Sequence, residues 1–189
     1  MTRLAAVIKV GGGLSAEAGA LAAVGAAIAR AAKTAPVLVV PGGGPFADLV
    51  RATDAREALS AESAHWMAVA AMDQYAYVVA HHLPGAVVID DPPAIPRTLA
   101  AGAVPVLAPG RWLRAADPLP HSWEVTSDSL AAWIAGALDA EELILIKAVT
   151  PTPGQELALV DAAFPTTLPH DLPWRAIGWR DAVRAPLLP

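Results

Sequence analysis

Short apolar runs recur along the chain, each closed by glycine, proline or charge and each followed by a longer stretch with helical spacing. Ala5 to Val10 is the first, β-branched toward its end and carrying one lysine, Lys9; it predicts a buried strand. Gly11-Gly12-Gly13 follows. Ser15 to Lys33 then predicts a helix, with Ser15 as N-cap, Glu17 in the first turn and Arg30 and Lys33 in the last. Val37 to Val40 is a second strand, ending in Pro41-Gly42-Gly43-Gly44-Pro45, and a helical stretch is expected from Phe46 through Arg51. Ala58 to Leu83 reads as one long helix. Val87 to Ile89 and Val104 to Leu107 predict strands on either side of a short helix from Pro96 to Gly102. Thr126 to Leu138 is a further helix, and Leu143 to Ile146 a fifth strand that ends at Lys147. Beyond Thr150 prolines punctuate the chain and no element is assigned. This alternation predicts an α/β fold with a mainly parallel sheet. At 189 residues it is read as one domain, 1–189, with a core over 1–150 and a proline-rich C-terminal segment over 151–189.

Composition narrows the classes. Hydrophobic residues make up 55% of the chain and charged ones 16%, yet every long apolar stretch is broken by Gly, Pro or charge, so no membrane span is expected. Lys9 and the glycines interrupt the N-terminal apolar run, which predicts no signal peptide and a cytoplasmic protein. The absence of cysteine excludes disulfides and thiolate metal sites. A net charge of −5 without a basic cluster argues against nucleic acid. The apolar excess suggests a homo-oligomer, with Ala58 to Leu83 as the candidate interface helix.

Candidate chemistry gathers at strand ends, where open parallel sheets bind ligands. Strand, glycines and helix in that order bring backbone N–H groups and a positive helix terminus close to an anion. The loop after Lys9 has this order but lacks the Walker A and dinucleotide patterns, and a tight strand-to-helix turn explains its glycines equally well. A second glycine triplet, Asp90-Asp91 and Lys147 also fall at strand ends. Two triplets suggest two anionic groups facing each other, as a phosphoryl donor and acceptor do, and two lysines suit the charge that develops between them. Asp128, in Thr126-Ser127-Asp128-Ser129, is the carboxylate best placed to orient those lysines, although a first-turn acid is common in any helix. His65, His81 and His82 are read as surface or interface residues, and no histidine metal site is proposed.

VIKVGGG, VVPGGGPFAD, VTSDSLAAWIAGAL and LILIKAV, in this order, resemble the amino-acid kinase superfamily over Leu4 to Val149. The resemblance implies a three-layer α/β sandwich, here with a shortened C-terminal part, and an ATP- and Mg²⁺-dependent kinase. HSWEVTSDSLA looks most like the small branch that phosphorylates (5-(aminomethyl)furan-3-yl)methyl phosphate to the diphosphate, on the route to methanofuran-type cofactors. Carried over by motif, Lys9 contacts the transferring phosphoryl group and Gly11, Gly12 and Gly13 the donor phosphates. Gly42, Gly43 and Gly44 receive the acceptor phosphate, and Asp128 holds the lysines. Many members place Thr-Asp after the fifth strand and take their second lysine from a later glycine-rich segment. Here Lys147 either substitutes for that lysine or the site is completed in another way. For the substrate's aminomethyl cation, Asp48, Glu124 and the face of Trp123 or Trp66 are the candidate partners, with Trp66 more readily explained by packing. Other readings are a kinase for an amino-acid carboxylate, with Arg51 as its clamp, a kinase for isopentenyl phosphate, or a non-catalytic oxyanion-storage protein.

Overall fold

The computed structural model describes residues 3–188. Among the described residues six strands form one sheet in the order β3-β4-β2-β1-β5-β6, every neighbouring pair parallel. They are β1 (Ala6–Val10), β2 (Val37–Pro41), β3 (Ala86–Ile89), β4 (Val104–Leu107), β5 (Leu143–Lys147) and β6 (Trp174–Gly178). The helices are α1 (Ala20–Ala31), α2 (Gly44–Glu57), α3 (Ala61–His82), α4 (Ala94–Ala100), α5 (Gly110–Ala116), α6 (Ser127–Ala137), α7 (Phe164–Thr167) and α8 (Trp179–Arg184). The chain builds outward from β1 through β2, then crosses to the other side of β1 to lay down β5. That reversal of direction makes the carboxyl ends of β1 and its neighbours the place where a crevice opens.

The four inner strands, β1, β2, β4 and β5, are buried on both faces, which is why they read as unbroken apolar runs rather than as alternating ones; the edge strands β3 and β6 are partly exposed. Side chains still alternate. Val7, Leu143 and Leu145 join one core with Leu130 and Ile134 of α6, whereas Ala6, Ile8, Ile144 and Ile146 join the other with α1 and α3. The same period of two puts Lys9 and Lys147 on the α6 face, because each is an even number of residues from a member of that set.

Several expectations shift. Helix α1 begins at Ala20, not at Ser15: a 3-10 turn, Gly12–Ala16, comes first, and the Ser15 hydroxyl donates to the Gly12 carbonyl at 2.9 Å instead of capping a helix. Glu17 therefore precedes the helix, which starts after Gly19 in a left-handed conformation. Helix α2 extends past Arg51 to Glu57, and α3 starts only at Ala61, because Ser60 accepts the Ser63 N–H and caps it. Helix α5 was not foreseen. The proline-rich stretch holds β6, which pairs with β5 from Leu143↔Trp174 to Lys147↔Gly178, and its Phe164 is fully buried. No helix among the described residues is long and apolar enough to cross a membrane.

Candidate active site

Lys9, at the end of β1, and Lys147, at the end of β5, converge on Asp128 in the first turn of α6. The Lys9 ammonium donates to Asp128 Oδ1 at 2.8 Å and the Lys147 ammonium to Oδ2 at 2.6 Å, so one carboxylate bridges two cations. All three are withdrawn from water: Lys9 is 4% and Asp128 5% exposed, and the Lys147 side chain 11%. Burial alone would raise the Asp128 carboxyl, but the two ammonium groups outweigh it and hold it below the ordinary carboxylate range. Burial lowers Lys147 below an ordinary lysine. The Lys9 charge adds to that, against the opposing pull of Asp128 and Asp161. Asp128 thus shares one negative charge between two preorganised ammonium groups, which suit a polyanion.

The two glycine loops meet beside this cluster and open on the same side. A Cβ on Gly12 would lie 2.6 Å from the Gly44 N, and one on Gly44 would lie 2.5 Å from the Tyr75 ring. Gly44 also has φ +55°, a left-handed conformation that disfavours any other residue. Glycine is thus required for loop-on-loop packing, quite apart from any ligand. Gly12, Gly13, Gly43 and Gly44 line a cleft of about 550 Å³. Gly11 and Gly42 depart from the expectation that all six face a phosphate. The Gly11 N–H is spent on the Ile146 carbonyl at 2.9 Å and the Gly42 N–H on the Val10 carbonyl at 2.8 Å, which extends the sheet rather than serving the cleft.

One wall of the cleft is a single face of α2, bearing Ala47, Asp48, Arg51 and Asp54; α3 supplies Ala64, His65, Ala68, Val69 and Met72, and residues 121–123 and 125–127 close it. Asp48 lines it, but its side chain is 77% exposed and faces the Arg51 guanidinium at 3.4 Å. Trp123 also lines it, donating from Nε1 to Asp54 Oδ2 at 2.7 Å beneath the Arg51 guanidinium. Glu124 is exposed and is not among the lining residues; its carbonyl accepts the Ala163 N–H. Trp66 packs against the core with the Arg114 guanidinium over its ring; it does not line the cleft but stands edge-on behind His65 and His121, which do. His65 corrects its surface assignment: it is 8% exposed, stacked on His121 with ring centroids 4.4 Å apart, and both line the cleft. Burial, reinforced by His121, lowers the His65 imidazolium. Asp90 and Asp91, at the end of β3, are drawn instead to the exposed Arg111. No group of three or more His, Cys, Asp or Glu suited to a metal occurs among the described residues.

Sequence reasoning missed Asp54 and Asp161. Asp54 looked like any surface acid of a helix, and Asp161 lies in the stretch where no element was assigned, so its contacts with Thr126 and Ser129 carry no local signal.

A parallel sheet ordered in this way, with two glycine loops and a lysine–aspartate–lysine cluster at its switch point, defines a class. Residues 5–150 match the model of the amino acid kinase family, and the chain belongs to that family. It is similar to the (5-(aminomethyl)furan-3-yl)methyl phosphate kinase of Methanocaldococcus jannaschii, with 31% identity over 143 residues, 74% of this chain and 63% of the relative. The chain thus spans less than two thirds of that relative's length. In fold it resembles the uridylate kinase from Archaeoglobus fulgidus (TM-score 0.60, 21% identity, 80% of this chain and 65% of that one). It also resembles the UMP kinase from Bacillus anthracis (TM-score 0.66, 15% identity, 94% and 88%). For the aspartate kinase from Synechocystis the TM-score is 0.69 at 16% identity, over 93% and 38%.

Proposed function

We propose that the chain is an ATP-dependent kinase that transfers the γ-phosphoryl group to a phosphate acceptor, (5-(aminomethyl)furan-3-yl)methyl phosphate, giving its diphosphate. The observation that carries this reading is the buried Lys9–Asp128–Lys147 cluster beside two glycine loops that open into one cleft. The similarity to the M. jannaschii kinase supports the choice of acceptor. An oxygen of the acceptor phosphate attacks the γ-phosphorus in line, a new P–O bond forms, the bond to the β-phosphate oxygen breaks and ADP leaves. The acceptor is ionised near neutral pH, so no strong base is needed. Lys9 meets the transferring group, Lys147 and the amides of Gly12 and Gly13 meet donor phosphate, and Gly43 and Gly44 meet the acceptor. Asp128 fixes both ammonium groups before substrates arrive, so alignment and charge neutralisation do the catalytic work. Both Asp128 oxygens are engaged by lysines, so the residues here offer no carboxylate cage for Mg²⁺, which would travel on the nucleotide's own phosphates.

Trp123 and Asp48 supply the aromatic face and the carboxylate for the acceptor's ammonium group, which takes the place of the Arg51 guanidinium that both now hold. Arg51 is a weaker clamp for a free carboxylate than its charge suggests, because Asp48 and Trp123 already engage it. Self-association through α3 would use its exposed Met67 and Tyr77. The test is ADP release from Mg-ATP with the furan phosphate, set against glutamate and isopentenyl phosphate. The furan phosphate should give the highest kcat/KM, and Lys9→Ala should abolish transfer in a folded protein. Stoichiometric anion binding without turnover on any acceptor would favour an oxyanion-storage role instead.

A further inference from the structure

Asp161 belongs to the proline-rich stretch that follows β5, and the mechanism above makes no use of it. Its carboxylate accepts four hydrogen bonds from the first turn of α6. The donors are the Thr126 N–H at 3.0 Å, the Thr126 hydroxyl at 2.7 Å, the Ser129 N–H at 3.1 Å and the Ser129 hydroxyl. Thr126, the residue at the N-cap position, makes no side-chain capping bond of its own, so a carboxylate from a distant segment takes over that task. The four donors flank Asp128 on either side in sequence. Two residues before Asp161, the Leu159 carbonyl accepts the Lys147 ammonium at 2.6 Å. One short stretch of chain therefore holds both members of the Asp128–Lys147 pair.

An ordinary cap satisfies one or two N–H groups. Here both carboxylate oxygens are used, by donors that bracket a buried charge whose two partners come from β1 and β5. We propose that Asp161 is a positioning residue for phosphoryl transfer, clamping the first turn of α6 so that the Asp128 carboxylate stays centred between Lys9 and Lys147. The proposal rests on the kinase reading. It also gives the proline-rich stretch a role in the site, since β6 and α7 anchor that stretch to the sheet and to α6.

Asp161→Asn keeps the size of the side chain but loses the charge and one acceptor oxygen. In turnover of Mg-ATP with the furan phosphate, kcat per folded molecule should fall about tenfold or more while both KM values move less than about threefold, because displacement of a catalytic group costs the transition state more than the ground state. The alkaline limb of the kcat profile should also move to lower pH. The groups facing the Lys147 ammonium are Asp128, Asp161 and the opposing Lys9, and the variant removes one of the two that favour its charge. Unchanged kcat and an unmoved limb, with only stability lost, would reduce Asp161 to a helix cap and overturn the proposal. Should Asp161→Asn fail to fold, Ser129→Ala removes one donor from the other side of the contact; a lower kcat at steady KM supports the clamp, and an unchanged kcat refutes it. Absence of turnover in the unmodified protein would strike the kinase reading itself. Lysine side-chain NMR then decides the clamp separately, since the lysines are Lys9, Lys33 and Lys147. Lys147 should titrate at lower pH in Ser129→Ala, which removes a clamp donor but no charge, and an unmoved Lys147 in that variant would overturn the proposal.

Discussion

Replacing Asp128 by Asn puts the electrostatics of the cluster to a quantitative test. The side chain keeps its shape, and one oxygen can still accept from one lysine, but two ammonium groups lose the carboxylate they share at 2.8 and 2.6 Å, and Lys147 is left with the Asp161 charge alone. With Lys9 4% exposed, water cannot take over that role at its end. Removing one partner of a buried ion pair typically costs about 3–5 kcal/mol. The loss has a ceiling, because a lysine can shed its proton instead, and neutralising an ordinary lysine at pH 7 costs about 4.6 kcal/mol. Lys147 is already lowered by burial and by Lys9, so its route out is cheaper than that. The expected loss is therefore about 3–4 kcal/mol at pH 7, measured by urea unfolding. The sign of its pH dependence follows from proton counting. Lys147 is already lowered in the unmodified protein, and losing Asp128 lowers it further, so between those two depressed values the variant's native state binds fewer protons than the unmodified one. Across that window the variant gains stability relative to the unmodified protein as pH rises, so the deficit should narrow above pH 7. A loss below about 1 kcal/mol at pH 7, constant with pH, would refute the claim that Asp128 carries the charge of both lysines.

Other outcomes follow from the same geometry. Gly44→Ala places a methyl group against the Tyr75 ring at a left-handed φ and should cost about 2–4 kcal/mol, read from chemical denaturation. Gly13→Ala, whose Cβ would meet only the Ala148 Cβ at 3.4 Å, should leave stability almost unchanged. Trp123→Ala should raise the acceptor KM about tenfold through lost stacking and cation–π contact, with a much smaller effect on the nucleotide KM, in steady-state kinetics. Asp73, whose carboxylate accepts the Gly110 N–H at 2.8 Å, is raised above 3.8 by burial, so ionising it costs native stability as pH rises through the shifted value. Asp73→Asn keeps an acceptor for Gly110 and should raise the Tm at pH 7, with the gain vanishing as pH falls toward 3.8; a lower Tm at pH 7 would contradict this.

Much of the scaffold was legible because buried parallel strands write themselves as unbroken runs of Val, Ile and Leu, and Lys9 and Lys147 stand out as the charges within them. Asp128 was legible through its place at the start of a helix and its motif. The end of β5 was read correctly, but β6 was not, since WRAIG is too short and mixed to announce a strand without the neighbour it pairs with. The start of α1 was misplaced because glycines and Ser15 suit a 3-10 turn as well as a cap, and only packing against the second glycine loop decides between them. Similarly, the glycine triplets announced a loop but not which amides stay free; the sheet claims those of Gly11 and Gly42. Asp161 and Asp54 act through contacts 32 and 69 residues away in sequence, to Ser129 and Trp123, where no local pattern reaches.

The measurement closest to the central claim is phosphorus NMR of the protein incubated with Mg-ATP and (5-(aminomethyl)furan-3-yl)methyl phosphate. The acceptor's monoester resonance should give way to two mutually coupled diphosphate resonances in step with ADP, and Lys9→Ala should leave that resonance untouched. A monoester signal that persists with the folded, unmodified protein, while the same sample binds the acceptor, would contradict the account.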